Sequence, residues 1–332
     1  MWYRFVLLLT TLAAAIGCGS ESKTSKSLRI GMMPKLVGIS YFTATQRGAE
    51  EAAKELGVEL TYDGPHEDRS EDQIQQIDEW AALGLDVIAV APVDPEAISE
   101  TLKNAKAAGA SVMTWDTDAN PEKSERSVFV NQAPNEAIGF ALVDVMADGV
   151  RARGESLAGN YLIVSGSATA SNQNTWMRYM RQRIKDKYPE MKLLEPLTPG
   201  EDRQRSQEQT AEALSAHADL KGIWGITSVS LPAAAKAVRD ADRAKSIYVT
   251  GLSLPSIMRE YVQDGTVEKF VLWDAVALGY LTIHVAKRLH EGTLEDGVHE
   301  MGRLKGIEVR DGQAILGPPT IFDKDNIDQF KF

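Results

Sequence analysis

From residue 28 to residue 272, short apolar runs alternate with stretches of helical spacing, and few folds accommodate that order. The first unit sets the pattern. Leu28-Arg29-Ile30-Gly31-Met32-Met33 is too short for a buried helix and is stopped by Pro34, so it reads as a strand. From Ser40 the spacing changes: Phe42, Thr45, Ala49, Ala52, Ala53 and Leu56 recur three or four residues apart on one helical face. Gly57 follows as a helix C-cap. The loop between them, 34–39, lies at the carboxyl end of the strand, where open α/β sheets bind ligands. It carries one cation, Lys35, and no Gly-x-Gly-x-x-Gly or Gly-Lys-Ser/Thr pattern, so it is not built to cradle phosphates.

The alternation continues. Strands are expected at 58–62, 87–90, 111–114 and 128–130, with helices at 95–108 and 134–150. Ser70 with Gln73 resembles a capping box opening a helix that carries Ile74, Ile77 and Ala81 on one face. After a soft break at 154–159 the order starts again, with strands at 161–164, 192–195, 222–225, 247–250 and 270–272. Helices at 174–187, 206–216, 231–240 and 255–263 fill the gaps. Alternation of this kind predicts parallel sheets with helices on both faces. Its repetition predicts an α/β chain of two Rossmann-like lobes with a cleft between them. A further helix at 274–289 and a weak strand pair at 306–316 imply that the chain crosses back. Three crossings are expected, near 131–133, 272–274 and 302–306. The first lobe would then be 28–131 plus 275–303, and the second 132–274 plus 304–332.

The formal net charge of −11 argues against nucleic acid, whose phosphates require clustered Lys and Arg. The single cysteine is more informative. An apolar run at 5–15 follows one charge at Arg4 and leads into Ala15-Ile16-Gly17-Cys18. It is too short to span a bilayer, which takes about twenty residues. It resembles a bacterial lipoprotein signal, residues 1–17, with cleavage before Cys18, lipid on its thiol and a tether at 18–27; an ordinary secretory signal is the alternative. Either way the chain is expected to be exported, as a membrane-anchored lipoprotein of the periplasm in the first case.

Enzyme patterns are missing from the sequence. Its five histidines are scattered, without a His-Glu-x-x-His pattern or a cysteine partner for zinc, and no Gly-x-Ser-x-Gly elbow occurs. No catalytic residue, metal or cofactor is therefore expected. What recurs is polar and aromatic residues at strand ends: Trp115-Asp116-Thr117-Asp118, Ser171-Asn172-Gln173-Asn174-Thr175-Trp176, Thr227-Ser228 and Trp273-Asp274. With Lys35, Tyr41 and Phe42 they would converge on one crevice. Carboxylates and side-chain amides pair with neighbouring sugar hydroxyls, and an aromatic ring covers the apolar C–H face.

Pro34-Lys35-Leu36-Val37-Gly38, Tyr62-Asp63-Gly64-Pro65, Thr114-Trp115-Asp116-Thr117-Asp118, Val130-Asn131-Gln132 and Leu272-Trp273-Asp274 also carry a resemblance. They look like the solute-binding proteins of sugar ABC importers, in the branch of rhamnose-binding and autoinducer-2-binding proteins. The resemblance implies the type I periplasmic binding protein fold, with two Rossmann-like lobes, three crossovers and hinge closure on a ligand. The autoinducer-2 receptors are similar in having a Lys and an Asp where Lys35 and Asp116 stand. They differ in carrying Asp-Gln at Asn172-Gln173 and Pro-Asp-Ala at Ile226-Thr227-Ser228. Residues 168–174, Thr227-Ser228-Val229, Gly279-Tyr280-Leu281 and 316–320 look like the rhamnose-binding members.

The resulting expectation is a monomeric binding protein that passes a rhamnose-like sugar to an importer's permease and ATPase. Lys35, Asp116, Asn172, Gln173 and Asp274 would hydrogen-bond the sugar, beside Thr227 and Ser228, and Tyr41, Phe42 and Trp273 would wall it. An autoinducer-2 receptor and a sensing module for a membrane kinase are the alternatives.

Overall fold

The alternation resolves into two main sheets flanked by helices and one two-stranded ribbon beside the second. The computed structural model describes Trp2 and residues 27–332; the rest of the signal segment, Cys18 and all but the last residue of the expected tether lie outside the described residues. The chain runs through β1 (Arg29–Met33), α1 (Ser40–Leu56), β2 (Glu59–Tyr62), α2 (Ser70–Ala82), β3 (Val87–Val90), α3 (Ser99–Ala107), β4 (Ser111–Trp115), the one-turn α4 (Pro121–Ser124) and β5 (Phe129–Asn131). It crosses to α5 (Asn135–Ala152), β6 (Gly159–Val164), α6 (Ser171–Lys187), β7 (Met191–Leu193), α7 (Arg203–Ala216), β8 (Leu220–Gly225), α8 (Ser230–Asp240), β9 (Tyr248–Gly251), α9 (Pro255–Gln263) and β10 (Lys269–Leu272). It then returns as α10 (Ala275–His290), β11 (Gly297–Met301), β12 (Leu304–Arg310) and β13 (Gln313–Ile315), and crosses again to β14 (Thr320–Asp323) and a 3-10 turn (Ile327–Gln329).

The first sheet has eight strands in the order β2-β1-β3-β4-β5-β13-β12-β11. It is parallel from β2 to β13 and antiparallel beyond. The second sheet, β7-β6-β8-β9, is parallel throughout. A bridge from Leu252 to Val271 sets β10 beside β9, and β14 pairs antiparallel with β10. Ligand sites in such sheets lie beyond the carboxyl ends of the parallel strands, so topology alone directs both lobes' strand ends to one region. All four residues of β3 are buried, as a continuous apolar run flanked on both faces requires.

Three expectations need correction. The last crossing lies at 316–319, not at 302–306, so residues 304–315 belong with the first lobe. Gly302 stands in the turn joining β11 to β12, and β13 covers the edge of β5 in register, Ala314 against Val130. The true crossing contains Pro318-Pro319, which have no N–H to donate to a ladder. Gln73 is not a capping residue either. It is fully buried; its amide donates to the carbonyls of Pro34 and Ala91, at 3.2 and 2.9 Å, and accepts from Val93 N at 2.8 Å. It thus ties α2 to the loops after β1 and β3. The helix expected from residue 95 begins at Ser99, because Asp94 closes a turn by accepting from Glu96 N and Ala97 N.

In the first lobe α1 and α10 pack backbone to backbone. A β carbon at Gly48 would lie 1.8 Å from the Val276 carbonyl oxygen, and one at Gly279 would lie 1.8 Å from that of Thr45. Only glycine allows so close a crossing. It brings the start of α1, with Tyr41 and Phe42, against the segment Trp273-Asp274 that leads into α10.

Candidate ligand-binding site

Both lobes deliver side chains to the crevice at their strand ends. Lys35 follows β1, Tyr41 and Phe42 occupy the first turn of α1, and Asp116 follows β4. From the second lobe come Asn172, Gln173 and Trp176 of α6, Thr227 and Ser228 after β8, and Trp273 after β10. Together with Ile39, Glu201, Ile226, Leu252 and Leu272 they line one tight cavity that opens to solvent between the lobes. Nine of the ten expected binding residues line this cavity; Asp274 does not. Its carboxylate accepts from Ala277 N at 2.8 Å and caps α10, where it satisfies an otherwise orphaned N–H and faces the positive end of the helix dipole.

Tyr41, expected as an apolar wall, is also a polar relay. Its hydroxyl donates to Asp116 Oδ1 at 2.8 Å and accepts from Trp273 Nε1 at 2.9 Å. Thr117 Oγ1 donates to the other oxygen of Asp116 at 3.2 Å. Asp116 itself is held at φ 60°, a left-handed conformation that Asp tolerates better than most residues. The walls are aromatic: Tyr41 meets Phe42 and Trp273 edge to face, at centroid separations of 5.1 and 6.2 Å, and Trp176 lies 5.8 Å from Trp273. Behind them Phe42 packs edge-on against the fully buried Trp115, whose indole N–H donates to the Met33 carbonyl.

The second lobe presents an amide-rich wall. Lys35 Nζ donates across the crevice to Asn172 Oδ1 at 3.2 Å, joining the two lobes. The side-chain carbonyl of Gln173 accepts from Ser165 Oγ and Gly166 N, both at 3.0 Å, while its Nε2 donates to Glu201 Oε1 at 3.3 Å. Thr227 lines the cavity, but its hydroxyl oxygen already accepts from Val229 N and Ser230 N at the start of α8. Ser228 is half-buried beside it, and its carbonyl accepts from Ser253 Oγ at 3.2 Å.

Burial is the dominant electrostatic influence. It pushes the Asp116 carboxyl above the usual carboxylate range, with Lys35 and the Tyr41 and Thr117 hydroxyls opposing it. Glu201 is raised for the same reason, against Lys35 and the Gln173 amide. Tyr41 is raised well above an ordinary phenol, first by burial and then by the charge of Asp116. The arrangement offers two carboxylates, two amides and one ammonium around an apolar floor. That set suits a small molecule with several hydroxyls and a hydrocarbon face.

Six lining residues, Ile39, Trp176, Glu201, Ile226, Leu252 and Leu272, were not among the expected site residues. Glu201 and Leu252 follow strands β7 and β9, so extending the strand-end argument to those two loops would have found them.

Comparison with known proteins agrees with this fold. A family model described as a periplasmic binding protein domain matches residues 30–294. LsrB from Clostridium saccharobutylicum, solved in complex with AI-2, is 28% identical with a TM-score of 0.86, over 91% of this chain and 99% of that one. An ABC transporter solute-binding protein from Clostridium phytofermentas with bound L-rhamnose is 30% identical with a TM-score of 0.84, over 92% and 98%. The D-ribose/D-allose-binding protein of Pseudomonas aeruginosa is 24% identical over 261 residues, 74% of this chain and 77% of that protein.

Proposed function

The chain belongs to the periplasmic binding protein family, and on that premise we propose that it captures a rhamnose-like deoxy sugar for the permease and ATPase of an ABC importer. The observation that carries the reading is the division of the polar groups between the lobes. Lys35 and Asp116 stand on one side of the cavity, and Asn172, Gln173 and Glu201 on the other. A sugar whose hydroxyls reach both sides favours the closed arrangement, because a ligand shifts such an equilibrium only through its differential contacts. The aromatic and aliphatic walls suit a ring bearing a methyl group. The L-rhamnose complex of the relative from C. phytofermentas supports the choice of sugar.

A second reading, an autoinducer-2 receptor, is favoured by the presence of Lys35 and Asp116 together in the cavity and by the similarity to LsrB. At the N-terminus we propose residues 1–17 as a signal, with lipid on Cys18 anchoring a monomeric periplasmic protein.

A thermal-shift panel of L-rhamnose, other pentoses and hexoses, and autoinducer-2 tests the function. A ligand at about a hundred times its dissociation constant adds roughly 2.7 kcal/mol of stability. The expected result is a shift with L-rhamnose that Asp116→Ala abolishes while the fold is retained. A shift with autoinducer-2 alone replaces the sugar reading by the second one, and Asp116→Ala binding within a few-fold of wild type refutes the cleft assignment.

A further inference from the structure

Among the described residues lining the cavity, the charged side chains are Lys35 and Asp116 on the first lobe and Glu201 on the second. Glu201 reaches the cavity from the segment after β7, which runs beside β6. Leu197 bridges Val164, and Gly200 N donates to the Gly166 carbonyl at 3.2 Å. Asp202 then caps α7 by accepting from Arg205 N at 2.9 Å, so Glu201 sits between a strand-like stretch and a helix start. Its carboxylate is fitted closely. A β carbon at Gly166 would come within 2.4 Å of Glu201 Oε1, so a side chain there would push that oxygen from its place beside Gln173.

The cavity lining therefore carries one ammonium against two carboxylates, and the carboxylate of Asp68 stands near enough to act on both Lys35 and Glu201. Both carboxylates feel the attraction of Lys35, and burial opposes the charge of each. A ligand that brings a further negative charge adds repulsion where screening by water is reduced. A neutral polyol does the opposite, because its hydroxyls donate to carboxylate oxygens and form charge-assisted bonds.

Resting on the sugar-binding reading, we propose that Glu201 is a specificity-determining residue: it accepts a hydrogen bond from a sugar hydroxyl on the second-lobe side, facing Asp116 across the ligand, and its charge excludes anionic sugars.

Calorimetric titration of the purified protein with L-rhamnose, D-ribose, D-arabinose and the anionic D-galacturonate tests this. Wild type is expected to bind at least one neutral sugar and not galacturonate. Glu201→Gln keeps the shape of the side chain and removes its charge; it is expected to weaken neutral-sugar binding about tenfold or more, the equivalent of one charge-assisted hydrogen bond, and to narrow the gap to galacturonate. Glu201→Asp retains the charge one methylene further back, and is expected to restore the discrimination without the full affinity. Glu201→Gln binding within twofold of wild type, with unchanged discrimination, overturns the role of Glu201 and leaves sugar binding standing. Binding of galacturonate alone by wild type does the same. Binding of none of the four overturns both.

Discussion

Replacing Tyr41 by Phe separates the two jobs that the site geometry gives this residue. The ring stays, so the wall against Phe42 and Trp273 is retained; only the hydroxyl is lost. Two bonds go with it, the one to Asp116 Oδ1 at 2.8 Å and the one from Trp273 Nε1 at 2.9 Å. Asp116 is 4% exposed and Trp273 3% exposed, so solvent replaces neither partner freely. A hydrogen bond to a charged group contributes roughly 1.5–3 kcal/mol, and a buried donor left without an acceptor costs roughly 1–3 kcal/mol. With partial relaxation, the expected loss of unfolding free energy is about 2–4 kcal/mol, read from urea denaturation. Binding should respond in a second way. Asp116 already stands above the ordinary carboxylate range, and the Tyr41 hydroxyl is one of the groups holding it down. Removing that donor raises it further, so binding that needs the Asp116 carboxylate is lost at a higher pH in the variant than in wild type. Calorimetric titration across a pH series reads the displacement. A stability loss below about 0.5 kcal/mol with an unmoved pH profile would refute the relay and leave Tyr41 as a wall alone.

Two further outcomes follow from the same structure. Burial raises the Glu201 carboxyl, so the native state holds that proton more tightly than the unfolded chain does, and the charge costs stability at neutral pH. Glu201→Gln is therefore expected to be more stable than wild type at neutral pH, with the difference shrinking as pH falls and gone below about pH 4; urea midpoints along that series check it, and a difference that grows with acid contradicts it. Gly48→Ala places a methyl group 1.8 Å from the Val276 carbonyl oxygen. Forcing α1 and α10 apart should cost about 1–3 kcal/mol in spite of the better helix propensity of Ala, and an unchanged denaturation midpoint would show that the contact yields freely.

The elements were legible in the sequence wherever periodicity is a local property. The run at 87–90 and the helical face from Phe42 to Ala53 bury as their spacing predicts, and the helix from Pro255 to Gln263 has the expected bounds. The site was legible to the extent that it obeys a topological rule, since residues just past parallel strands face the crevice. Asp116, Asn172, Gln173 and Trp273 were found by that rule. Asp274 obeys it by position but not by contact, because the next residue begins a helix and an Asp there caps it.

By itself, then, the sequence determined the two-lobed α/β class and most of the side chains around the cavity, because strand and helix periods and turn residues act over a few neighbours. Tertiary structure alone decided the rest. The edge of β5 took β13 as its cover, which moved the last crossing to the prolines at 316–319. Gln73, in the first turn of α2, turns its side chain to two loops that pass near it only in the folded chain. Glu201 reached Gln173, 28 residues away, because the segment after β7 lies along β6. Each of these depends on which groups remain unpaired once the other elements are packed, and that is a property of the whole chain.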